Sequence, residues 1–341
     1  MVGTRGTDRP SSPMRDQLDA AQQLARAVAG DDDERFILAF HSVMNAVDGL
    51  MSSGRRGADA PGAAEHVRST LRGTAERHVS SGRRGLRAVG EPTGQPPGSI
   101  YADPVYIENA KSLIPNRSRV IGGTATSAFP DCVAVGSKTG WCCTGTLVAP
   151  NVVVSAGHCR GGCSSRVYIG TDVSAAGEII DVRSAVKHPK YKPPSENHDL
   201  MVLILKQDAT ATPRPLATDK MLQAAKSVRV VGFGNTDVQS TQGYGQCRMV
   251  DVPLASNDPK YGSDPSTEFV AGAPFLDRDS CNGDSGGPAY VQSSRKWYLA
   301  GATSRATAVA SPVRPCGDGG IYTRVSSFAD WVRSVPGGHW A

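Results

Sequence analysis

The stretch Val152–Cys159, which reads VVVSAGHC, decides the fold. Its run of valines, preceded by Asn151 and followed by Ser155, has the length and composition of a short β-strand. The residues after the run place His158 immediately beyond the end of that strand. We therefore expect a fold built from strands, with a histidine held where one of them ends.

Short apolar or alternating runs continue along the chain after Arg119, and residues typical of turns separate them. The further predicted strands are Arg166–Ile169, Glu178–Val182, Met201–Leu205, Val228–Val231, Ala289–Val291 and Trp297–Ala300. Many short strands joined by turns indicate an all-β sandwich or barrel.

Two further motifs supply the residue types that a histidine needs for nucleophilic catalysis. Asp199 lies in the segment NHDL, just before a predicted strand, and Ser285 lies in the glycine-rich segment GDSGGP. A serine hydroxyl is a poor nucleophile near neutral pH, so it requires an imidazole to accept its proton. The imidazole in turn requires a carboxylate that fixes its tautomer. Ser285, His158 and Asp199 would fill these three roles.

The glycines around Ser285 have a chemical use of their own. Without side chains in the turn, the backbone N–H groups of Gly283 and Ser285 can point at a developing oxyanion, which is worth about 2.7–4 kcal/mol per donor. We expect these two amides to form an oxyanion hole.

With these residues in view, the sequence resembles the trypsin/chymotrypsin family of serine proteases from about residue 120 to 335. The motifs SAGHC, HDL and GDSGGP occur in the family's order, after a segment RVIGG at 119–123. The resemblance implies a two-barrel antiparallel fold with the active site between the barrels, in a domain covering residues 120–341. It also implies hydrolysis of peptide bonds in protein and peptide substrates, without a metal or other cofactor.

The resemblance further implies control by a zymogen. Cleavage after Arg119 would free the amine of Val120, which would pair with the carboxylate of Asp284 and order the oxyanion loop. A buried carboxylate without a cation is costly, so the loop would stay misformed until that amine is available.

Substrate preference is also implied by the resemblance. Asp279, six residues before Ser285, matches the acidic residue at the base of the specificity pocket and implies cleavage after Arg or Lys. Ser304 and Gly320 match a serine and a glycine of the pocket. Arg305 and Ala306 stand where the family has a tryptophan and a glycine, so the resemblance does not define the wall of the pocket.

All eight cysteines lie between Cys132 and Cys316. The resemblance implies the disulfides Cys143–Cys159 and Cys281–Cys316. The four others, Cys132, Cys142, Cys163 and Cys247, allow three pairings. Of these we favour Cys132–Cys247 with Cys142–Cys163.

The cysteine-free N-terminal part has a different pattern. Helical spacing of apolar residues predicts three amphipathic helices within residues 1–81, which would form a small regulatory or interaction module, or a solvated extension. Such a module could bind a partner or self-associate. Residues 82–119 are rich in Gly, Pro and Arg and are expected to be a linker that includes the activation segment.

Composition excludes several other classes of protein. With 39% hydrophobic and 20% charged residues the chain is neither disordered nor fibrous, and a net charge of +5 is too small to predict a nucleic-acid partner.

No run is long and apolar enough for a membrane span. Met1–Ala20 lacks the apolar core of a signal peptide, whereas the even cysteine count favours an oxidising compartment, so the compartment stays open.

Two alternatives to a zymogen protease remain. The chain could be a protease-like binding protein that does not cleave its partner, although such proteins usually lose one of the three catalytic residues, all of which are present. The helical module could also act as an adaptor that brings zymogens together.

Overall fold

The structure of the protein is a computed structural model that describes residues 103–111, 123–159, 162–192, 197–236, 243–272, 280, 283–308 and 319–340. The three helices predicted within residues 1–81 lie outside the described residues, and so does most of the predicted linker. Strands predominate in the described part of the chain, and its helices are short.

The first half of this region is a closed barrel of six antiparallel strands in the order β2-β3-β4-β7-β6-β5. Its strands are β2 (Cys132–Ser137), β3 (Gly140–Ala149), β4 (Val152–Ser155), β5 (Arg166–Ile169), β6 (Glu178–Lys187) and β7 (Met201–Leu205). Pairing of β2 with β5 closes the barrel. Every residue of β4 and β7 is buried, which explains their uninterrupted apolar sequence.

The second half is a seven-stranded antiparallel sheet in the order β1-β9-β8-β11-β12-β13-β10. Its strands are β1 (Thr124–Ala125), β8 (Ser227–Gly232), β9 (Arg248–Pro253), β10 (Glu268–Ala271), β11 (Pro288–Ser293), β12 (Lys296–Ala306) and β13 (Gly320–Arg324). A bridge between Leu254, just after β9, and Ala271, at the end of β10, brings the sheet back on itself. The predicted all-β fold with two barrel-like halves is confirmed.

Three α-helices accompany the strands within the described ranges: α1 (Pro104–Lys111), α2 (Asp219–Ala224) and α3 (Ala329–Ser334). Helix α1 falls within the predicted linker, so part of that segment is ordered. None of the helices in the described residues has the length and apolar character needed to cross a membrane.

Separate apolar clusters fill the two halves, and a third cluster joins them. The joining cluster includes Val154 and Val202 from the barrel together with Val231 and Leu299 from the second sheet. Burial of such side chains contributes about 25 cal/mol per Å² removed from water, so the two halves stabilise each other. This packing fixes the position of the barrel loops that carry His158 and Asp199 relative to the loop of the second sheet that carries Ser285.

Candidate active site

His158 lies in a single turn of 3-10 helix, Gly157–Cys159, directly after strand β4. The turn packs closely against Asp199, because a Cβ atom on Gly157 would come within 3.2 Å of its Oδ1. Glycine at this position therefore lets the backbone approach the carboxylate. The His158 side chain is 34% exposed, so one edge of its ring stays accessible.

Asp199 lies just before β7, in a tight turn in which the N–H of Leu200 donates to the carbonyl of His198 at 2.8 Å. His198 has a φ of 62°, a left-handed conformation that is uncommon for residues other than glycine. Thr323 on β13 donates its hydroxyl to the Asp199 carbonyl at 3.1 Å. The barrel and the second sheet thus hold this residue jointly, and its side chain is only 2% exposed.

The Asp199 carboxylate meets three polar groups. Its Oδ1 accepts the backbone N–H of His158 at 2.9 Å, and its Oδ2 lies 2.7 Å from His158 Nδ1. The hydroxyl of Ser304 also donates to Oδ2, at 2.7 Å. A carboxylate beside Nδ1 favours the tautomer that carries its proton on Nδ1, and in that tautomer Nε2 is the basic nitrogen of the ring.

Ser304 belongs to a longer chain of polar contacts that the sequence did not predict. Arg305 Nη1 donates to the Ser304 hydroxyl at 3.3 Å and to Glu268 Oε1 at 2.7 Å, while its Nη2 donates to Glu268 Oε2 at 2.9 Å. The Glu268 side chain is fully buried, so Arg305 neutralises it. Sequence reasoning placed Ser304 in the substrate pocket; the structure places its hydroxyl on Asp199.

The loop that carries Ser285 turns sharply at Gly283 and Gly286, whose φ angles are 100° and 76°. The amide of Gly286 donates to the carbonyl of Thr303 at 2.8 Å, and the Ser285 carbonyl accepts the amide of Thr144 at 2.9 Å. A Cβ on Gly286 would come within 2.4 Å of Ala156 N. The loop therefore presses against the strand end that positions His158.

Asp284 is almost completely buried in a recess with glycine walls. Its Oδ1 accepts the amide of Gly234 at 2.8 Å, and a Cβ on Gly232 would lie 2.0 Å from the same oxygen. Burial, together with the negative charge of Asp284, raises the pKa of Tyr244 to about 12. The carboxylate thus lies in a confined, poorly solvated space.

Two disulfides lie close to the predicted site. Cys143–Cys159 joins β3 to the turn of His158, and Cys142–Cys163 lies beside it. Both predicted pairings are confirmed. The sulfurs of Cys143 and Cys159 lie within 4.8 Å of a His158 ring nitrogen, but their bond to each other removes the thiolates that a metal would need.

The favoured pairing of Cys132 with Cys247 is corrected. Both cysteines are free thiols, buried in the cluster that joins the two halves. The pKa of the Cys132 thiol lies well above its usual range, chiefly because the thiol is buried and secondly because Cys247 lies beside it. Because disulfide formation proceeds through a thiolate, a thiol with a raised pKa is oxidised slowly.

The remaining predicted residues divide between the described and undescribed parts of the chain. Gly320 begins β13, where it pairs with Ala271 and Ala306. Other members of the predicted site and its braces lie outside the described residues: Arg119, Val120, Asp279, Cys281 and Cys316.

Comparison with known proteins agrees with this architecture. A model of the trypsin family matches residues 120–332. A trypsin of Saccharopolyspora erythraea is 33% identical over 199 residues, which cover 55% of this chain and 84% of the relative. Trypsin-2 of Salmo salar is 30% identical over 231 residues, which cover 64% of this chain and 95% of the relative. Trypsin-1 of the same species is 29% identical over 231 residues, which cover 64% of this chain and 90% of the relative. The chain belongs to the trypsin family of serine proteases.

Proposed function

We propose that the protein is a serine endopeptidase that cleaves after Arg or Lys through a Ser285–His158–Asp199 triad, and that cleavage after Arg119 activates it. The observation that carries this proposal is the double contact of Asp199 with His158. It orients the imidazole for proton transfer beside the loop that bears Ser285.

Catalysis would proceed from these positions in two half-reactions. Ser285 Oγ attacks the scissile carbonyl carbon while its proton passes to His158 Nε2, and the C–N bond then breaks as His158 returns the proton to the leaving amine. Water attacks the acyl carbon while giving a proton to His158; the C–O bond to Ser285 then breaks, His158 returns the proton to Ser285 Oγ, and the carboxylic acid leaves.

The charges that develop in these steps have assigned partners. Asp199, buried and held by Ser304, would stabilise the imidazolium form of His158. The amides of Gly283 and Ser285 would stabilise the oxyanion, each by about 2.7–4 kcal/mol. The left-handed turn at Gly283 supports this assignment, since a side chain there would meet Gly234 Cα at 2.9 Å and crowd the turn.

The preference for Arg or Lys rests on Asp279, by its offset from Ser285. A carboxylate at the base of a pocket pairs with a guanidinium or ammonium group of the substrate. An uncharged substrate side chain would leave that carboxylate without a counter-charge. Gly320 on β13, with no side chain, supports an open pocket.

The zymogen step rests on Asp284. Asp284 is 8% exposed, and we assign it as the carboxylate that the new amine of Val120 would contact after cleavage. The amide of Gly234 donates to this carboxylate at 2.8 Å, and the amine of Val120 would bring a positive charge to the same group.

An active-site probe tests the catalytic part of the proposal. The chain is treated with an activating protease of known mass, the activating protease is removed, and the product is reacted with a fluorophosphonate. We expect one adduct, on Ser285, and loss of peptide hydrolysis in step with labelling. The Ser285→Ala variant should show neither adduct nor hydrolysis, and Ser327→Ala, on the protein surface, serves as the matched control.

A cleaved, folded protein that neither reacts with the probe nor hydrolyses peptides would overturn the protease assignment and favour a binding protein. An active enzyme whose intact mass shows an uncut Arg119–Val120 bond would refute the zymogen step alone.

A further inference from the structure

The residues just before the predicted activation site dock onto the second half of the fold. Asp103 caps helix α1, with its Oδ1 accepting the amides of Val105 at 2.8 Å and Tyr106 at 3.2 Å. Pro104 occupies the first helical position, where its fixed φ and missing N–H favour helix initiation. The sequence Asp-Pro therefore starts the helix here, within a segment otherwise typical of a linker.

The second oxygen of Asp103 attaches this cap to the protease fold. Its Oδ2 accepts the amide of Ser256 at 2.8 Å, the Ser256 hydroxyl, and the hydroxyl of Tyr261 at 3.1 Å. Asp103 is 2% exposed. Burial, and next the negative charge of Asp103, raise the pKa of Tyr261. One carboxylate thus begins the helix and holds it in place.

Two further side chains of α1 are buried at the same contact. Tyr106 is 1% exposed and packs in a cluster with Ala255, Tyr261, Val270 and Ile321. Asn109 donates its side-chain amide to the Leu254 carbonyl at 2.9 Å and is itself buried. A buried aromatic ring flanked by charge-assisted hydrogen bonds is the pattern of energetic hot spots in protein interfaces.

The contacts that Asp103, Tyr106 and Asn109 make with the second half of the fold form an anchor for helix α1. It lies before Arg119, so activation would cut the chain between the anchor and the catalytic residues. No cysteine lies between Met1 and Arg119, so no disulfide among these 341 residues would join the two pieces. Non-covalent contacts, those of α1 among them, would have to hold the pieces together.

We propose that helix α1 keeps the N-terminal piece bound to the catalytic piece after cleavage at Arg119–Val120, so that the active enzyme is a non-covalent two-chain complex. This inference rests on the zymogen step of the proposed function. Before cleavage the anchor binds intramolecularly, at an effective concentration in the millimolar range. After cleavage it becomes a bimolecular contact, and its retention depends on protein concentration.

Co-elution tests the proposal. The full chain carrying Ser285→Ala, which prevents autolysis, is cut with an added Arg-specific protease and passed over a native sizing column at high micromolar concentration. Mass analysis of the peak that contains the fragment beginning at Val120 should find, in equal amount, the fragment that carries residues 103–111. Dilution before loading should release that fragment progressively.

Variants at the anchor give the matched comparison. Tyr106→Ala should reduce the retained fraction at least tenfold, and Asp103→Ala should do the same, whereas Val105→Ala, on the exposed side of α1, should behave as the parent. Tyr261→Phe removes one hydrogen bond on the receiving side without removing the ring, so it provides a mild second variant, expected to lower retention with little change in fold.

The outcomes separate the two proposals. If the bond is cut and the α1 fragment elutes apart from the catalytic fragment, or if Tyr106→Ala and Asp103→Ala are retained like the parent, the anchor is refuted and the zymogen step stands. If the active enzyme is found with the Arg119–Val120 bond intact, both fail.

Discussion

His158 and Asp199 are joined twice: the backbone N–H of His158 donates to Oδ1 of Asp199, and its ring Nδ1 lies 2.7 Å from Oδ2. The first contact fixes the distance between the two chain segments, and the second fixes the rotation of the ring. Together they leave the imidazole one arrangement, with Nδ1 on the carboxylate.

Replacing Asp199 with asparagine should therefore damage catalysis without damaging the fold. The amide can present an N–H to Nδ1 and favour the wrong tautomer, so we expect kcat to fall about 10⁴-fold. Steady-state hydrolysis of an arginyl peptide substrate measures the loss. The thermal midpoint should move by only a few degrees, and a variant that keeps more than a tenth of the activity would argue against the triad.

Substrate preference should depend on the residue at position 279. Asp279→Ser removes the carboxylate that would pair with the substrate cation, and loss of one member of a buried ion pair lowers kcat/KM by about 10²- to 10⁴-fold. The decrease should be confined to Arg and Lys substrates. Asp277→Ser, two residues earlier in the same segment, is the control, and comparable losses in both variants would contradict the assignment.

The pair of Arg305 and Glu268 should govern stability. Arg305→Met leaves a buried carboxylate without its cation, which costs about 3–5 kcal/mol. Adding Glu268→Gln to that variant should restore a large part of the loss, because the amide needs no counter-charge. Chemical denaturation of the two single variants and the double variant gives the coupling energy. Simple additivity would show that the contact does not stabilise the fold.

Cys132 and Cys247 should react only after unfolding. Both thiols are buried, and Cys132 is held in its protonated form by its raised pKa. Alkylation followed by peptide mapping should leave both unmodified in the native protein and modify both in denaturant. Recovery of a disulfide-linked peptide containing these two residues from protein kept under oxidising conditions would restore the pairing that the structure corrects.

The sequence predicted strands best where a strand is buried on both faces, as in Met201–Leu205, since burial requires an unbroken apolar run. It did not predict β1, β2, β3, β9, β10 or β13, whose runs are short or are interrupted by glycines and polar residues. Motifs supplied the identities of His158, Asp199 and Ser285. The contacts of Arg305 with Glu268, and of Asp103 with Tyr261, could not be predicted, because no local spacing relates residues 37 or 158 positions apart.

The stability of the protein should decline in mild acid because of His188. Its ring lies against Phe328 and Trp331 and stacks on His198 at 5.2 Å between ring centroids. Burial, and then the positive charges of His198 and Lys190, lower its pKa below 6.5. Its Nδ1 accepts the amide of Lys190 at 3.3 Å, which also favours the neutral ring.

A histidine with a lowered pKa binds fewer protons in the folded than in the unfolded state, so stability rises with pH through this range. Its contribution is fully present above pH 6.5 and is lost as the pH falls toward the lowered folded value. We expect His188→Phe, which keeps an aromatic ring and cannot be protonated, to flatten the dependence of the thermal midpoint on pH below 6.5. His339→Gln, at an exposed site, should not flatten it; equal slopes in the parent and His188→Phe would assign the acid sensitivity to other groups.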